Sequence, residues 1–268
     1  MSAHPLFQVD AFTAEAFGGN PAAVCVLDDE MPASWMQAVA MEMNLSETAF
    51  VRPVGDGWSL RWFTPKIEVA LCGHATLATA HVLLTRGYAD ATTTIEFATA
   101  SGTLRAVATD EGISLDFPRR ELSAEDAPAE VLAAVGVTPV ATVRAATGPE
   151  RGDDWIVELA DEAAVRELAP ALAGLRRLGA PSFMVTARGT SYDCVSRFFG
   201  PAAGIDEDPV TGSAHCALGP YWADKLGKTQ LRAFQASPRG GEIGVTVGPT
   251  RVGLAGRAVT VLEGTLRV

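Results

Sequence analysis

Gly73-His74-Ala75-Thr76-Leu77-Ala78-Thr79-Ala80-His81-Val82-Leu83-Leu84-Thr85-Arg86, closed by Gly87, is the stretch on which the fold turns. Alanine and leucine are strong helix formers, and glycine is a common stop just beyond a helix. The segment therefore reads as one helix. Its residues leave almost no polar face, and a helix apolar on all sides must be buried. A set of strands should wrap around it.

The flanking sequence supplies those strands. Leu6–Val9, Ala22–Leu27, Thr48–Arg52, Ser59–Phe63, Thr93–Ala98 and Gly112–Phe117 are rich in β-branched and aromatic residues. A helix opened by Pro32 and running to about Met43, with Asn44 as its stop, separates the second strand from the third. The second half of the chain repeats the plan. Arg61-Trp62-Phe63-Thr64-Pro65 leads to Gly73-His74-Ala75, and Arg197-Phe198-Phe199-Gly200-Pro201 leads to Gly212-Ser213-Ala214. Phe97-Ala98-Thr99-Ala100-Ser101 is answered by Phe234-Gln235-Ala236-Ser237. Three matches in one order indicate duplication. The expected fold class is α+β: two pseudo-symmetric domains, each a mixed or antiparallel curled sheet around a buried central helix. The halves are expected at residues 1–118 and 119–268, joined near Arg119–Asp126, with the terminal strand able to cross over. Pro220 lies inside the second helix and should kink it or end it early.

Composition narrows the function. The 268 residues carry 21 basic and 32 acidic side chains, a formal net charge of −11. That excess repels phosphate backbones, so neither nucleic acid nor a membrane is expected as a partner. No apolar run reaches spanning length and no signal peptide is visible at Met1–Asp10, so a cytoplasmic location is expected. The cysteines Cys25, Cys72, Cys194 and Cys216 form no CxxC pair and read as free thiols. Cys72, His74, His81 and His215 match no recognised ligand spacing, so no metal is expected. There is no glycine-rich dinucleotide fingerprint, no P-loop and no GxSxG elbow.

The candidate chemistry sits where the two buried helices begin. Gly73-His74 and Gly212-Ser213 each set a glycine beside a polar residue at a helix start, where backbone N–H groups lack intrahelical partners and the dipole is positive. Such ends can hold a carboxylate or an enolate-like anion, although ordinary capping by Thr211 or Ser213 is the plainer reading. Glu47, in Asn44-Leu45-Ser46-Glu47-Thr48, stands at a helix-to-strand junction among apolar neighbours, where a carboxyl group can serve as base and then acid; an exposed strand-start glutamate is the plainer alternative. His74 at a helix N-terminus is favoured as a neutral hydrogen-bond donor, or is a packing residue. Asp206, Glu207 and Asp208 read as compensation of the second helix dipole, with Asp208 also able to orient a catalytic partner.

Four ordered segments now matter together: Gly19-Asn20-Pro21-Ala22-Ala23-Val24, Asn44-Leu45-Ser46-Glu47-Thr48, Phe63-Thr64-Pro65 with Cys72-Gly73-His74-Ala75, and Glu207-Asp208-Pro209-Val210-Thr211-Gly212-Ser213-Ala214. Over essentially the whole chain they resemble the phenazine-biosynthesis (PhzF-like) isomerase family. The resemblance implies the diaminopimelate epimerase-like fold, a homodimer, no cofactor and a small-molecule carboxylate substrate. It implies catalytic roles for Glu47, His74 and Asp208, and substrate-binding roles for Asn20, Ser46, Gly73, Gly212 and Ser213. Cys72 lies where the related epimerase has one of its two thiol bases, while the facing position falls near Pro209, which cannot act as an acid or base. The expected function is cofactor-independent movement of a proton between carbons of a small unsaturated carboxylate. The alternatives are an amino-acid racemase or epimerase using Cys72, and a non-catalytic small-molecule-binding protein.

Overall fold

The computed structural model describes residues 2–146 and 153–268. The chain forms two compact units, Met1–Phe117 with Leu254–Val268, and Pro118–Gly253. The first returns the C-terminal strand Ala258–Arg267 to pair antiparallel with β1 (Ala3–Ala11).

In the first unit β1 also pairs antiparallel with β2 (Asn20–Val26), and β2 pairs parallel with β3 (Glu47–Val54). Parallel neighbours need a crossover. Here it is helix α1 (Ala33–Met43), which ends where Asn44 turns left-handed at φ 50° and donates its N–H to Ala40 O. β3 then turns antiparallel into β4 (Gly57–Phe63). A second parallel step joins β4 to Ile95–Thr99, crossed by helix α2 (Gly73–Thr85). Gly102–Thr109 and Gly112–Pro118 complete the sheet as antiparallel strands.

The burial of α2 follows from its composition. Ala75, Leu77, Ala78, Ala80, Val82 and Leu83 are fully enclosed, and the helix packs on β1, β2 and β3. Two threonines are buried with them. Thr76 Oγ1 donates to Cys72 O and Thr79 Oγ1 to Ala75 O, so each hydroxyl is satisfied within its own helix. β2 is covered on both faces, and Ala23 and Cys25 join Met36, Val39 and Ala40 of α1 in a separate cluster with Phe50 and Phe63.

The second unit repeats these steps. Asp154–Glu158 pairs parallel with Phe183–Arg188, which turns antiparallel into Cys194–Gly200. Cys194–Gly200 pairs parallel with Gln230–Gln235 across the buried helix Gly212–Leu226. The same strand–helix–parallel-strand step thus occurs in both halves.

Of the two outcomes expected at Pro220, the early end does not occur. The helix runs on to Leu226 rather than ending early. Pro220 cannot donate to the carbonyl of Cys216 one turn back, and the N–H of Arg120 fills that place at 3.1 Å. Gly219, beside the proline, lets the helix lie close to Val245 and Val247, since a Cβ there would meet Val245 Cγ1 at 2.6 Å.

Candidate active site

Five of the eight expected site residues come together in the first unit. Gly19, at φ 58°, precedes β2, and a Cβ at that position would meet Ala11 O at 2.1 Å, so only glycine fits. The turn delivers Asn20, wholly buried, to the start of β2. Ser46 and Glu47 enter β3 beside it, with Glu47 opposite Ala22 in the parallel register. Gly73 and His74 open α2, with Cys72 at the N-cap.

These elements converge on the His74 ring, which is 5% exposed. Asn20 Nδ2 lies 3.2 Å from His74 Nδ1, and Cys72 Sγ lies 3.5 Å from the same nitrogen. On the other edge, Nε2 is 3.3 Å from Glu47 Oε2 and 3.3 Å from Ser46 Oγ. Ser46 Oγ also reaches Asn20 Oδ1 at 3.4 Å. With the Asn20 amide donating to Nδ1, the imidazole proton sits on Nε2, which is hydrogen-bonded to Ser46 Oγ and lies near the Glu47 carboxylate. Glu47 keeps 17% of its side chain exposed. A carboxylate in that setting can take a proton from a bound molecule and return it.

α2 begins without a side-chain cap. Its first intrahelical bond runs from Thr76 N–H to Cys72 O at 3.3 Å, so the N–H groups of Gly73, His74 and Ala75 precede the helical ladder. The helix at Gly212 in the second unit begins the same way. Thr211 is its N-cap residue but does not cap it; its hydroxyl is hydrogen-bonded to Asp208 Oδ2 at 2.5 Å. Capping by Thr211 is therefore not what that side chain does.

Asp208, Gly212 and Ser213 lie in this second unit, around a turn fastened by a residue that sequence reading passed over. Gln235, 1% exposed, accepts the Thr211 N–H at 2.8 Å and donates to Asp208 O at 2.7 Å. Its amide also reaches Thr211 Oγ1 at 3.1 Å, which leaves the threonine proton for Asp208. Ser237 Oγ donates to Pro209 O, and His215 Nδ1 donates to Thr211 O at 2.8 Å. The only sequence signal for Gln235 was its place in the repeated Phe234–Ser237 segment. The acidic cluster also differs from expectation. Asp206, Glu207 and Asp208 form a strand, Glu207 is paired through both oxygens with Arg197, and Asp206 is paired with Arg176. The guanidinium groups, not the helix dipole, account for two of the three acids.

Among the described residues, donor atoms of Glu47, Cys72 and His74 all lie within 4.8 Å of one another, a grouping that chain spacing did not signal.

Repeated sheet-and-helix units, each built around one buried helix, define the fold class, and the first unit carries a glutamate–histidine pair at its helix start. A PhzF-family protein of Enterococcus faecalis superposes with a TM-score of 0.92 at 42% identity, covering 100% of both chains. A probable proline racemase from Agrobacterium radiobacter shares the fold alone, with a TM-score of 0.68 at 14% identity, covering 99% of this chain and 92% of the racemase. The family model described as phenazine biosynthesis-like protein matches residues 9–264, and the chain belongs to that family. An uncharacterized isomerase of Halalkalibacterium halodurans is 48% identical over 99% of both chains. The human phenazine biosynthesis-like domain-containing protein is 39% identical over 98% of both. Its family and these relatives make this chain an isomerase. No described helix is long and apolar enough to cross a membrane.

Proposed function

We propose that the chain moves a proton between carbons of a small unsaturated carboxylate, without a cofactor, using Glu47 as base and then acid. The observation that carries this is the Glu47–His74 pair, held at 3.3 Å beside the uncapped start of a buried helix. His74, its Nδ1 engaged by Asn20, supports the developing anion through Nε2–H. The N–H groups that open α2 at Gly73 bind the substrate carboxylate or enolate-like oxygen. Asn20 and Ser46 hold the ring and line the site. In the second unit Asp208 is fastened by Thr211 and Gln235 ahead of the helix start at Gly212 and Ser213, a second place where an anionic group could be held. In this reading the protein works in the cytoplasm, where its four free cysteines stay reduced, and as a homodimer in keeping with its family.

The test follows solvent deuterium by NMR in a panel of unsaturated cyclic carboxylates, beginning with dihydro-hydroxyanthranilate. The expected result is deuterium at a new C–H with the wild type and little with Glu47→Gln. The second reading, epimerisation by a thiol base, draws on Cys72 Sγ at 3.5 Å from His74 Nδ1. Turnover lost on alkylation of Cys72 yet kept in Glu47→Gln would favour it.

A further inference from the structure

The second unit holds a pocket of about 470 Å³ whose lining includes none of the site residues above. It lies where the turn 189–193, between the strands Phe183–Arg188 and Cys194–Gly200, meets the C-terminal end of the buried helix Gly212–Leu226. Arg188, Lys228 and Arg232 line it, with Asp193 as the acid among its lining residues. Three cations against one acid make a locally positive pocket on a chain of net charge −11. A cation just past a helix C-terminus ordinarily answers the dipole, and that reading suits Lys228. It does not extend to Arg188 and Arg232, which stand on strands.

The walls are fastened by hydrogen bonds. Asp193 Oδ2 accepts the Arg232 N–H at 2.8 Å, and Asp193 Oδ1 is paired with Lys228. Thr190 donates its N–H at 2.8 Å and its hydroxyl at 2.5 Å to Glu162 Oε2. Tyr192 stacks on Phe234 with ring centroids 5.0 Å apart and gives its hydroxyl proton to Glu242. The Arg232 guanidinium lies 5.3 Å from the centroid of that fixed Tyr192 ring. The acids around the pocket are thus engaged: Asp193 with Lys228, Glu162 with Thr190 and Arg166, Glu242 with Tyr192. Arg188 and Arg232 make no ion pair among the described residues.

We propose that this pocket binds a small phosphate-bearing molecule, with Arg188 and Arg232 on the phosphate. Two guanidinium groups without ion pairs answer the charge of a phosphate monoester, about −1.5 to −2 at pH 7, and their planar forks suit its oxygens. Ligand pockets run from about 300 to 1,000 Å³, so the volume leaves room for the organic remainder. The helix Gly212–Leu226 has 15 residues, which at about 1.5 Å each sets the pocket about 20 Å from the Asp208 turn at its other end. The site is therefore separate from the candidate residues of this unit, and the proposal does not rest on the role of Glu47.

The probes are inorganic phosphate and glycerol 3-phosphate, titrated into the full chain by calorimetry at low ionic strength. The expected result is one molecule of either per chain, with affinity falling as salt is added. Loss of a charge-assisted hydrogen bond costs about tenfold or more in affinity, so Arg188→Gln and Arg232→Gln should each weaken binding at least about 10-fold. Both side chains are exposed, so the variants should melt as the wild type does. Arg105→Gln, which removes an exposed arginine of the first unit paired with Glu96, should leave the affinity unchanged. Succinate, with two carboxylates in place of one phosphate, should bind at least about 10-fold more weakly. Full affinity in both Arg188→Gln and Arg232→Gln overturns the site, and an equal loss in Arg105→Gln does so too, since it would report net charge alone. Phosphate bound while glycerol 3-phosphate is refused would mark an adventitious ion only, and succinate bound as tightly as phosphate would remove the assignment of the ligand; either result overturns the proposal.

Discussion

At the scale of single residues, burial and partner choice decide which state each titrating group adopts. His215 is the clearest case. It is wholly buried, its Nδ1 donates to Thr211 O, and its Nε2 has no partner among the described residues. Burial pushes it down from 6.5 to about 4, with the Thr211 bond opposing. The unfolded chain therefore binds a proton that the folded chain refuses between those values. Stability should be fully present above about 6.5 and fall as pH drops toward 4, by up to about 1.4 kcal/mol per pH unit from this group. Urea denaturation of the wild type and His215→Asn from pH 4 to 7 should show a shallower slope for the variant; equal slopes would assign the acid sensitivity to other groups. His74 differs in that both ring nitrogens have neighbours, and it was readable because Gly73-His74 opens a helix with no polar face. The Cys72 contact was not readable, because it depends on where the side chains point at the N-cap.

At the scale of elements, the buried helices were the most legible features. α2 has no amphipathic stripe and runs Gly73–Thr85, close to the stretch expected from composition. The strand Gly102–Thr109 was missed, since only Leu104 and Ala106 are buried along it and its alternation is correspondingly weak. That the helix continues past Pro220 was not legible, because the group that compensates the proline, the Arg120 N–H, lies far away in sequence. Removing a proline from a helix interior usually gains about 3 kcal/mol, but Pro220→Ala should gain much less, because the Cys216 carbonyl already has a donor. A rise in melting temperature matching the full amount would contradict this account of the helix. Gln235 makes the opposite case. It ties the Thr211 N–H to the Asp208 carbonyl, so Gln235→Leu leaves buried groups unsatisfied and should cost about 1–3 kcal/mol for each. A crystal structure of the variant should show the Asp208–Thr211 turn displaced, and an unmoved turn would assign its shape to the Pro209–Val210 backbone.

At the scale of the whole molecule, duplication explains why the fold could be read at all. Both halves use a strand, a buried helix and a second parallel strand, and both carry Gly beside a polar residue at the helix start. The family match spans residues 9–264, so all four motifs fall within one family model. With a net charge of −11, the anionic substrate proposed above would have to be recognised locally, which helix starts and their N–H groups can do. The substrate itself was not legible, because it is set by pocket shape, and shape is built from residues that no single motif brings together.

The proposed role of Glu47 as carrier of the proton is tested by comparing wild type with Glu47→Gln for solvent deuterium incorporation during turnover. General acid–base catalysis contributes about 100- to 10,000-fold, so the Gln variant should lose that much in kcat while its melting temperature stays near that of the wild type. Turnover and deuterium labelling by Glu47→Gln at the wild-type rate would contradict that role.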